Sequence, residues 1–530
     1  MAKAIIPLIL PPTARGWAKS IGTSAKDQQL INGVYETNGK DVYATKRAGS
    51  STGTSIGSGV IATRHYSSFF SGQFLATSTG FFDDNATNLG TLDSAFATSQ
   101  NYELADSQVG GVGILAWATG AGTGWFLYSN AITTNFPTFS GDTHTNTVID
   151  GIASTTGLYP GQAISGTGIQ AGTRIATITS STAITVTLAT TGTATVTITK
   201  QAISKIIDAD FPSSVNSVVA MNGRFFWGSS NGRISQSAIN DPSSYTAGQY
   251  VTADYSGDQL LFIFKLGTYI VASGTFNTLQ YYSYGQNSYG SVLNLVGTVN
   301  GFQLPYNAPI YLSGESYCIA QTSDSTNANE QLGLYKISGL GLQRVSNDLW
   351  SSIITGNFAA LLGIARIGDK SLLVIVSSAS TFIIYDPSVN DFSILTLSAA
   401  ITSSNGTIFT KSGSSTYFSW ANNNTWQDSS VAYTMTAQTE PKLPNNGMGF
   451  TVNYVDLIAD IEASGTATLS KSTDDGATWT DVGTFDMTLN KKRVNAVGSA
   501  DASMALRVTH SANTGFRATK LIVDYMPGTL

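Results

Sequence analysis

Residues 369–397, DKSLLVIVSSASTFIIYDPSVNDFSILTL, predict three successive β-strands. The runs LLVIVSS, TFIIYD and DFSILTL are rich in β-branched and aromatic residues, and Ser/Ala and Asp-Pro-Ser-Val-Asn segments separate them. Such compositions are typical of strands and tight turns. Because the central run is apolar at nearly every position, both faces of its strand should be covered, as in a propeller blade packed between two others. The stretch therefore predicts one blade of a β-propeller.

The composition favours short strands, tight turns and covered surface. Among 530 residues there are 53 Gly but only 13 Pro, while 42% are hydrophobic and 11% are charged. That charged fraction is about half of the usual share. Since obligate interfaces carry less charge than free surface, we expect partner subunits to cover much of the chain. The net charge of −6 argues against a dedicated nucleic-acid binder, which usually has a basic patch.

Blade-like units recur along the chain on both sides of an interruption. Asn-Gly pairs at 222–223 and 231–232 are the strongest short-range hairpin signals. The spacing of the units, roughly 30 to 50 residues, is within the range of propeller blades. Residues 1–60 combine one short strand with a Gly/Ser loop. They predict either an extended arm that wraps a neighbour or a disordered end.

The interruption, residues 142–200, has almost no charge. Thr alternates with apolar residues in its second half, as expected of half-buried antiparallel strands. The run GLYPGQAISGTGIQAGTRIATI resembles a small all-β module inserted in many phage structural proteins, and a low-complexity linker is the alternative. Beyond residue 445, alternating strands and hairpin turns predict a β-sandwich.

The predicted fold is therefore all-β, an irregular β-propeller with an inserted small β-domain and a C-terminal β-sandwich. Residues 1–60 are assigned to an extended N-terminal arm with the first strands, and residues 61–141 to the first blades. The inserted module is residues 142–200, the remaining blades are residues 201–444, and the sandwich is residues 445–530. The terminal run AIIPLILPP is too short and too interrupted for a signal peptide or a membrane span. We therefore expect synthesis in a cytoplasm.

One motif has a clear structural interpretation. Ser472, Asp474, Gly476 and Trp479 match the S-x-D-x-G-x-x-W pattern, which resembles the Asp box of sialidases and related β-proteins. The Asp accepts backbone N–H bonds, Gly takes the positive-φ position and Trp packs under the turn. This pattern predicts a stabilised hairpin and no catalytic role.

No motif predicts catalysis or ligand binding. Gly53-Thr-Ser55-Ile-Gly57 matches the nucleophile pattern G-x-S-x-G, but the expected Gly/Ser loop lacks the strand and helix that this motif needs. The three histidines, His65, His144 and His510, have no metal-ligand spacing. The single cysteine, Cys318, excludes a disulfide within the chain and predicts a buried, inert thiol. We predict no catalytic, cofactor-binding or metal-binding residue, no cofactor and no enzyme activity.

Two clusters have open interpretations. The only basic run, Lys491-Lys492-Arg493, predicts a surface strand end, with contact to a partner or to DNA phosphate as the alternative. Tyrosines are dense near residue 284, which indicates either an interface or ordinary packing. The cluster consists of Tyr281, Tyr282, Tyr284 and Tyr289.

Several segments together resemble the packaged-DNA stabilisation proteins of short-tailed phages, the tail hub or nozzle family. VYATKRAGS resembles the family's strand that leads to a basic Lys-Arg-Pro-Gly turn, although Ala48 replaces the proline. SVVAMNGRFFWGSSNGRISQSAINDPSSY and the blade that ends at Thr278–Tyr281 resemble the family core. LSKSTDDGATWTDVG and LIVDY resemble its terminal sandwich.

This resemblance implies a structural virion protein. A homohexameric ring below the portal and its adaptor would extend the DNA channel, retain packaged DNA with a plug or needle protein, and carry spikes or fibres. Double-stranded DNA would pass through the lumen without specific binding. The alternatives are a receptor-binding or glycan-degrading tail protein of sialidase-like propeller type, and a secreted adhesin, for which an export signal is missing.

Overall fold

The computed structural model describes most of the chain. The described residues are 2–8, 29–38, 41–47, 50–55, 61–70, 72–77, 80–83, 85, 87–93, 104–119, 122–132, 137–253, 259–274, 278–285, 291–304, 309–322, 332–338, 341–346, 351, 354, 361–367, 370–378, 381–396, 401–404, 408–411, 416–420, 426–428, 431–440 and 449–528. The chain divides into two compact units. The first unit is Met1–Gly53, Asn357–Ser412 and Phe418–Leu530, and the second is Thr54–Gly356 and Gly413–Tyr417.

The first half of the chain forms strands β1 to β26. Their bounds are β1 Ala2–Pro7, β2 Gln29–Ile31, β3 Gly33–Asn38, β4 Asp41–Lys46, β5 Ser50–Ser55, β6 Ile61–Ser67, β7 Gly72–Thr77, β8 Gly80–Asp83, β9 Asn88–Thr91, β10 Ala105–Val109, β11 Val112–Ala118, β12 Gly124–Tyr128, β13 Thr138–His144, β14 Val148–Asp150, β15 Gln162–Gly166, β16 Ile175–Ser180, β17 Ala183–Val186, β18 Thr193–Lys205, β19 Val215–Met221, β20 Arg224–Ser229, β21 Arg233–Ala238, β22 Asp241–Thr252, β23 Leu260–Leu266, β24 Tyr269–Gly274, β25 Thr278–Tyr284 and β26 Leu293–Asn300. A short 3₁₀ helix, Ser129–Ala131, follows β12.

The second half continues with strands β27 to β47. Their bounds are β27 Phe302–Gln303, β28 Ile310–Leu312, β29 Glu315–Thr322, β30 Leu332–Ser338, β31 Gly341–Arg344, β32 Leu361–Ile367, β33 Lys370–Ser378, β34 Thr381–Asp386, β35 Asp391–Thr396, β36 Ile401–Ser404, β37 Ile408–Lys411, β38 Thr416–Trp420, β39 Gln427–Asp428, β40 Val431–Ala432, β41 Met435–Gln438, β42 Phe450–Ala459, β43 Thr466–Ser472, β44 Thr480–Asp486, β45 Lys492–Ala500, β46 Ala505–His510 and β47 Arg517–Pro527.

The predicted fold class is confirmed. The protein is an all-β, irregular β-propeller with an inserted small β-module and a C-terminal β-sandwich. The three strands predicted between residues 369 and 397 are β33, β34 and β35, and they pair antiparallel in sequence order. Leu372–Ile375 and Phe382–Tyr385 are buried without interruption, as expected of strands covered on both faces.

The second unit contains a series of antiparallel sheets with the strand order of propeller blades. Three of them have four strands in sequence order, β6–β9, β19–β22 and β23–β26, and a further sheet is built from β27–β31. The Asn-Gly pairs lie in the β19–β20 and β20–β21 hairpins, where Gly223 and Gly232 have φ of 75° and 82°. Glycine adopts this left-handed backbone without steric cost, so these sequences favour tight turns.

The inserted module is connected to a blade by one long strand that belongs to both. Strand β18 pairs with β12 of the β10–β12 blade near its end and with β13 and β15 of the module along the rest of its length. The module strands β13–β17 enclose their own apolar core, which includes Ile149, Ile175, Ile184 and Ile198. Period-two alternation in the sequence therefore corresponds to one buried and one exposed face, as predicted.

The first unit contains the C-terminal β-sandwich. One sheet has the order β3-β4-β47-β42-β45, with β1 also paired to β47, and strands β2-β41-β46-β43-β44 lie at the end of a second sheet that begins with the β32–β35 blade. Their inner faces share one apolar core, which includes Phe450, Val455, Leu469, Phe485 and Leu521. Alternating burial along each strand is typical of a sandwich.

The N-terminal segment differs in part from the expectation. Its described strands pair within the same chain: β1 and β4 with β47, and β2 with β35 and β41. The predicted Gly/Ser loop is wrong for Ser50–Ser55, which forms β5 between β38 and β39. Backbone pairing with distant strands outweighs the low strand propensity of Gly and Ser here.

Candidate functional site

The basic turn of VYATKRAGS, on which the resemblance partly rests, is enclosed inside the first unit. Arg47 follows β4, and its side chain is fully buried. Nη1 and Nη2 donate to Oδ1 and Oδ2 of Asp428 at 2.8 and 2.6 Å, a bidentate pair. Nη2 also donates to the Thr396 carbonyl at 3.1 Å. A guanidinium held by a carboxylate and a carbonyl has its charge satisfied internally. This turn is therefore a structural cross-link.

Asn32 extends the cross-link to three parts of the first unit. Its Nδ2 donates to Thr396 Oγ1 at 2.9 Å and to the Thr434 carbonyl at 2.8 Å, while its Oδ1 accepts the Thr396 N–H at 2.8 Å. Arg47 Nε donates to the same Oδ1 at 3.4 Å. Asn32 has a φ of 55°, a left-handed backbone that asparagine tolerates better than most residues. The end of β2 is thereby tied to β35 and to the chain before β41.

An aromatic ring covers the two basic side chains. The Arg47 guanidinium lies 3.9 Å and the Lys46 ammonium 4.8 Å from the centre of the Tyr433 ring. Lys46 Nζ donates to the Ala512 carbonyl at 2.6 Å. Burial, and secondly the charge of Arg47, lower the pKa of Lys46 to about 8. Burial raises the pKa of Tyr433. Both cations lie close to one aromatic ring in a cation–π arrangement. Because both side chains are buried, neither can contact a phosphate of a nucleic acid.

His510 lies next to this cluster and gives a pH-dependent prediction. Its ring is buried, 5.3 Å from the ring of Phe516, and its Nδ1 has no hydrogen-bond partner among the described residues. Burial, and secondly the charge of Lys46, lower the pKa of His510 from 6.5 to about 4. The unfolded chain binds this proton below pH 6.5 and the folded chain does not, so the stabilisation is complete above pH 6.5 and is lost toward pH 4.

We expect this group to account for a loss of about 3 kcal/mol in the free energy of unfolding over that pH range. Urea denaturation of the wild type and of His510→Phe, measured from pH 7 to pH 4, tests this. The variant should lose less stability than the wild type, while the control His144→Gln, which changes a half-exposed histidine, should match the wild type. Equal losses in the wild type and His510→Phe would contradict the assignment.

The basic run 491–493 is also largely neutralised within the sandwich. Lys492 is buried and donates from Nζ to the Leu489 carbonyl at 2.8 Å. Arg493 donates from Nε and Nη2 to Asp456 at 2.5 and 2.6 Å, and its guanidinium lies 3.5 Å from the centre of the Tyr454 ring. Lys491 is exposed. The interpretation of the run as a surface strand end is therefore wrong for Lys492, because its side chain is buried and two backbone carbonyls accept hydrogen bonds from its Nζ.

The Asp box forms the predicted hairpin turn between β43 and β44. Asp474 Oδ1 accepts the Thr478 N–H at 2.9 Å, the Ser472 hydroxyl accepts the Gly476 N–H at 2.8 Å, and Trp479 Nε1 donates to the Gly476 carbonyl at 3.1 Å. Gly476 has a φ of 84°. Hydrogen bonds from the Thr478 side chain and backbone lower the pKa of Asp474 to about 2. The structural role of the motif is confirmed.

The structure does not assemble the remaining sequence candidates into a reactive centre. Gly53, Thr54 and Ser55 lie in β5, and the last two residues of the motif, 56 and 57, lie outside the described residues. His144 pairs with Asp150 at 2.7 Å in the module, far in sequence from His510, while the side chain of His65 is not among those described. Within the described ranges, no group of three His, Cys, Asp or Glu side chains could hold a metal ion.

The cysteine and the tyrosine cluster belong to the core. Cys318 is fully buried, as predicted, and burial raises the pKa of its thiol. Tyr281 and Tyr282 are also buried, so packing and not an interface explains them. Tyr284 is half-buried, and Tyr289 lies outside the described residues. Tyr281 and Tyr282 are adjacent on β25 and pack into two different apolar cores.

Charge is distributed unequally between the two units. The first unit contains 18 Lys and Arg against 17 Asp and Glu, a net charge of +1. The second unit contains 9 Lys and Arg against 16 Asp and Glu, a net charge of −7. The unit with the inserted module therefore carries the whole acidic excess of the chain. Such an excess opposes nonspecific binding to phosphate backbones.

Large apolar side chains are exposed on strands at the ends of sheets. Leu295 and Val296 on β26 are 54% and 57% exposed, Tyr311 on β28 is 68% exposed, and Ile5 on β1 is 65% exposed. Strand β26, LNLVGTVN, contains no charged residue and lies at the end of its four-stranded sheet. Proteins that stay monomeric usually protect such strands with charge or proline. These strands are candidate interaction surfaces.

Comparisons with known proteins add solved structures of low similarity. No protein-family model and no curated protein matches the chain. The computationally designed Ika8 protein has a TM-score of 0.35 at 10% identity, over 74% of this chain and 100% of its own. Raptor from Chaetomium thermophilum has a TM-score of 0.34 at 10% identity, over 72% of this chain and 30% of its own.

An exo-beta-1,3-galactanase from Phanerochaete chrysosporium has a TM-score of 0.28 at 10% identity, over 80% of this chain and 96% of its own. These similarities are too distant to indicate a function. No helix among the described residues has the length and apolar character needed to cross a membrane.

Proposed function

We propose that this chain is a structural subunit of a short-tailed phage tail, the nozzle or hub, without enzyme activity. In this role, copies assemble as a hexameric ring below the portal and its adaptor, extend the DNA channel, help to retain packaged DNA and carry spikes or fibres. The protein is made in the host cytoplasm and resides in the virion. The sequence resemblance described above is the source of this proposal.

The observation that carries the proposal is the charge distribution. The second unit has a net charge of −7. The proposed role, to line a channel through which DNA passes, requires no cofactor. A channel through which DNA slides must not bind the DNA tightly. Tight binding requires exposed Lys and Arg side chains that replace the counterions of the phosphates. The enclosed Arg47 and the internally paired Lys492 and Arg493 are consistent with this requirement.

Exposed apolar strands support the proposed assembly. Leu295, Val296 and Tyr311 in the second unit, and Ile5 in the first, are exposed on strands at sheet ends. Contacts between subunits bury such groups. The charged fraction of 11% is also low for a protein whose whole surface is exposed to solvent.

The mass of the purified protein in solution tests the proposal. Light scattering and averaged electron-microscope images should show a ring of about six copies with an open centre, alone or after mixing with portal–adaptor rings. Filter binding to double-stranded DNA at about 0.15 M salt should show no retention of DNA. A stable monomer or trimer that never assembles on the portal complex would overturn the proposal. The trimer would then be tested for glycan cleavage.

A further inference from the structure

Strand β1 is attached to the sandwich almost entirely through one neighbour. It pairs antiparallel with β47 from Ala2↔Tyr525 to Pro7↔Lys520. Among residues 2–8, only Ile6 and Leu8 have buried side chains, while Ile5 is 65% exposed. The contribution of β1 is therefore a row of backbone hydrogen bonds and one apolar face, on which Ile6 and Leu8 are buried and Ala2 and Ala4 are partly buried. The edge of β47 would accept the same strand from any copy of this chain.

The chain length beyond β1 permits such an exchange. Residues 9–28 separate Leu8 from the start of β2 at Gln29. Twenty residues can span up to about 65 Å when extended, which is more than the diameter of a small domain. The neighbouring hairpin is different, because only residues 39 and 40 join β3 to β4. Strand β1 is thus placed by its pairing with β47 and not by a short turn.

We infer that β1 is exchanged between copies, so that β1 of one subunit completes the sandwich of the next by pairing with its β47. This inference rests on the proposed assembly of several copies. All strand contacts are identical in the exchanged and closed forms, so the exchange costs little free energy and links the subunits. In an assembly, the tethered strand is held at a high effective concentration near the neighbour's β47. Added strands of this kind bind through main-chain hydrogen bonds.

The register provides a site for a reporter disulfide. The Leu8 N–H donates to the Thr519 carbonyl at 3.0 Å, so pairs alternate from there and Ile5↔Ile522 is a non-hydrogen-bonded pair. Side chains approach most closely at such pairs, within reach of a disulfide. The native Cys318 is fully buried and does not compete.

The test mixes two single variants, Ile5→Cys and Ile522→Cys, each with a different tag, in full-length protein. After assembly and mild oxidation, a denaturing non-reducing gel should show a covalent product that contains both tags. The control variants Thr37→Cys and Val42→Cys, which are paired in the β3–β4 hairpin, should give no mixed product.

A double variant, Ile5→Cys with Ile522→Cys, separates the possible outcomes. Covalent chains of several subunits support the exchange. Rings in which every disulfide closes within one chain overturn the exchange and leave the proposed function intact. A monomer with an intrachain disulfide that does not assemble on the portal–adaptor rings overturns both.

Discussion

Arg47→Met is expected to lower the free energy of unfolding of the first unit by about 3–5 kcal/mol. The substitution leaves the Asp428 carboxylate buried without the guanidinium that binds both of its oxygens at 2.8 and 2.6 Å. It also removes the cation that stacks 3.9 Å from the Tyr433 ring and the donor to Asn32. A buried charge without its partner is far less favourable than an intact buried pair. Urea denaturation of the purified variant measures the loss.

Two further variants identify the cause of this loss. Arg47→Met combined with Asp428→Leu removes both charges and should recover most of the stability, because neither member of the buried pair is left without its partner. Lys336→Met breaks a solvent-accessible pair with Glu315 and should cost much less, because water screens both charges. A loss in Arg47→Met no larger than that in Lys336→Met would contradict the role of the buried pair.

Trp117→Ala is expected to lower the free energy of unfolding of the second unit by about 3–5 kcal/mol. Trp117 on β11 is fully buried, and its ring stacks on Phe81 of β8 with centroids 4.2 Å apart and planes 5° apart. These two strands belong to different sheets, so the stack joins consecutive blades. Its removal leaves a cavity in a core that also contains Trp125 and Leu127. Thermal and urea unfolding, followed by circular dichroism, test the size of the effect.

The matched comparison for Trp117→Ala is a truncation on the surface of the same unit. Ile239→Ala shortens a side chain that is 57% exposed and should change stability by no more than about 0.5 kcal/mol. Trp117→Phe retains a ring against Phe81 and should lose less than the alanine variant. If all three variants unfold alike, the stack between blades does not stabilise the unit.

Local sequence chemistry predicted the strands and turns well. The Asp-Pro-Ser-Val-Asn segment ends β34, Asn390 in it has a φ of 52°, and β35 follows at Asp391. Turn residues and apolar runs act within a few positions of each other, so a single sequence contains the required information. The same holds for the Asp box, whose hydrogen bonds all lie within residues 472–479.

Long-range pairing could not be predicted in this way. Arg47 and Asp428 are 381 positions apart, and no local pattern indicates that one will neutralise the other. Strand β2 has three residues, yet it joins the β32–β35 blade to the sandwich strand β41. Gly/Ser composition suggested a loop where β5 forms, since its strand character comes from β38 and β39. The burial of Lys492 likewise depends in part on a carbonyl from another strand, that of Ala459, which accepts a hydrogen bond from its Nζ.

The 13-residue strand β18 has a mechanical consequence for the inserted module. Because Thr193–Lys205 is hydrogen-bonded to module strands and to β12 of the blade, the module has no flexible tether at this end. A force along β18 acts on all of the hydrogen bonds between β18 and β12 at the same time. These bonds must break together before the module separates from the blade. The module is therefore rigidly attached to its blade, and a force applied to the module would be transmitted to the blade through β18.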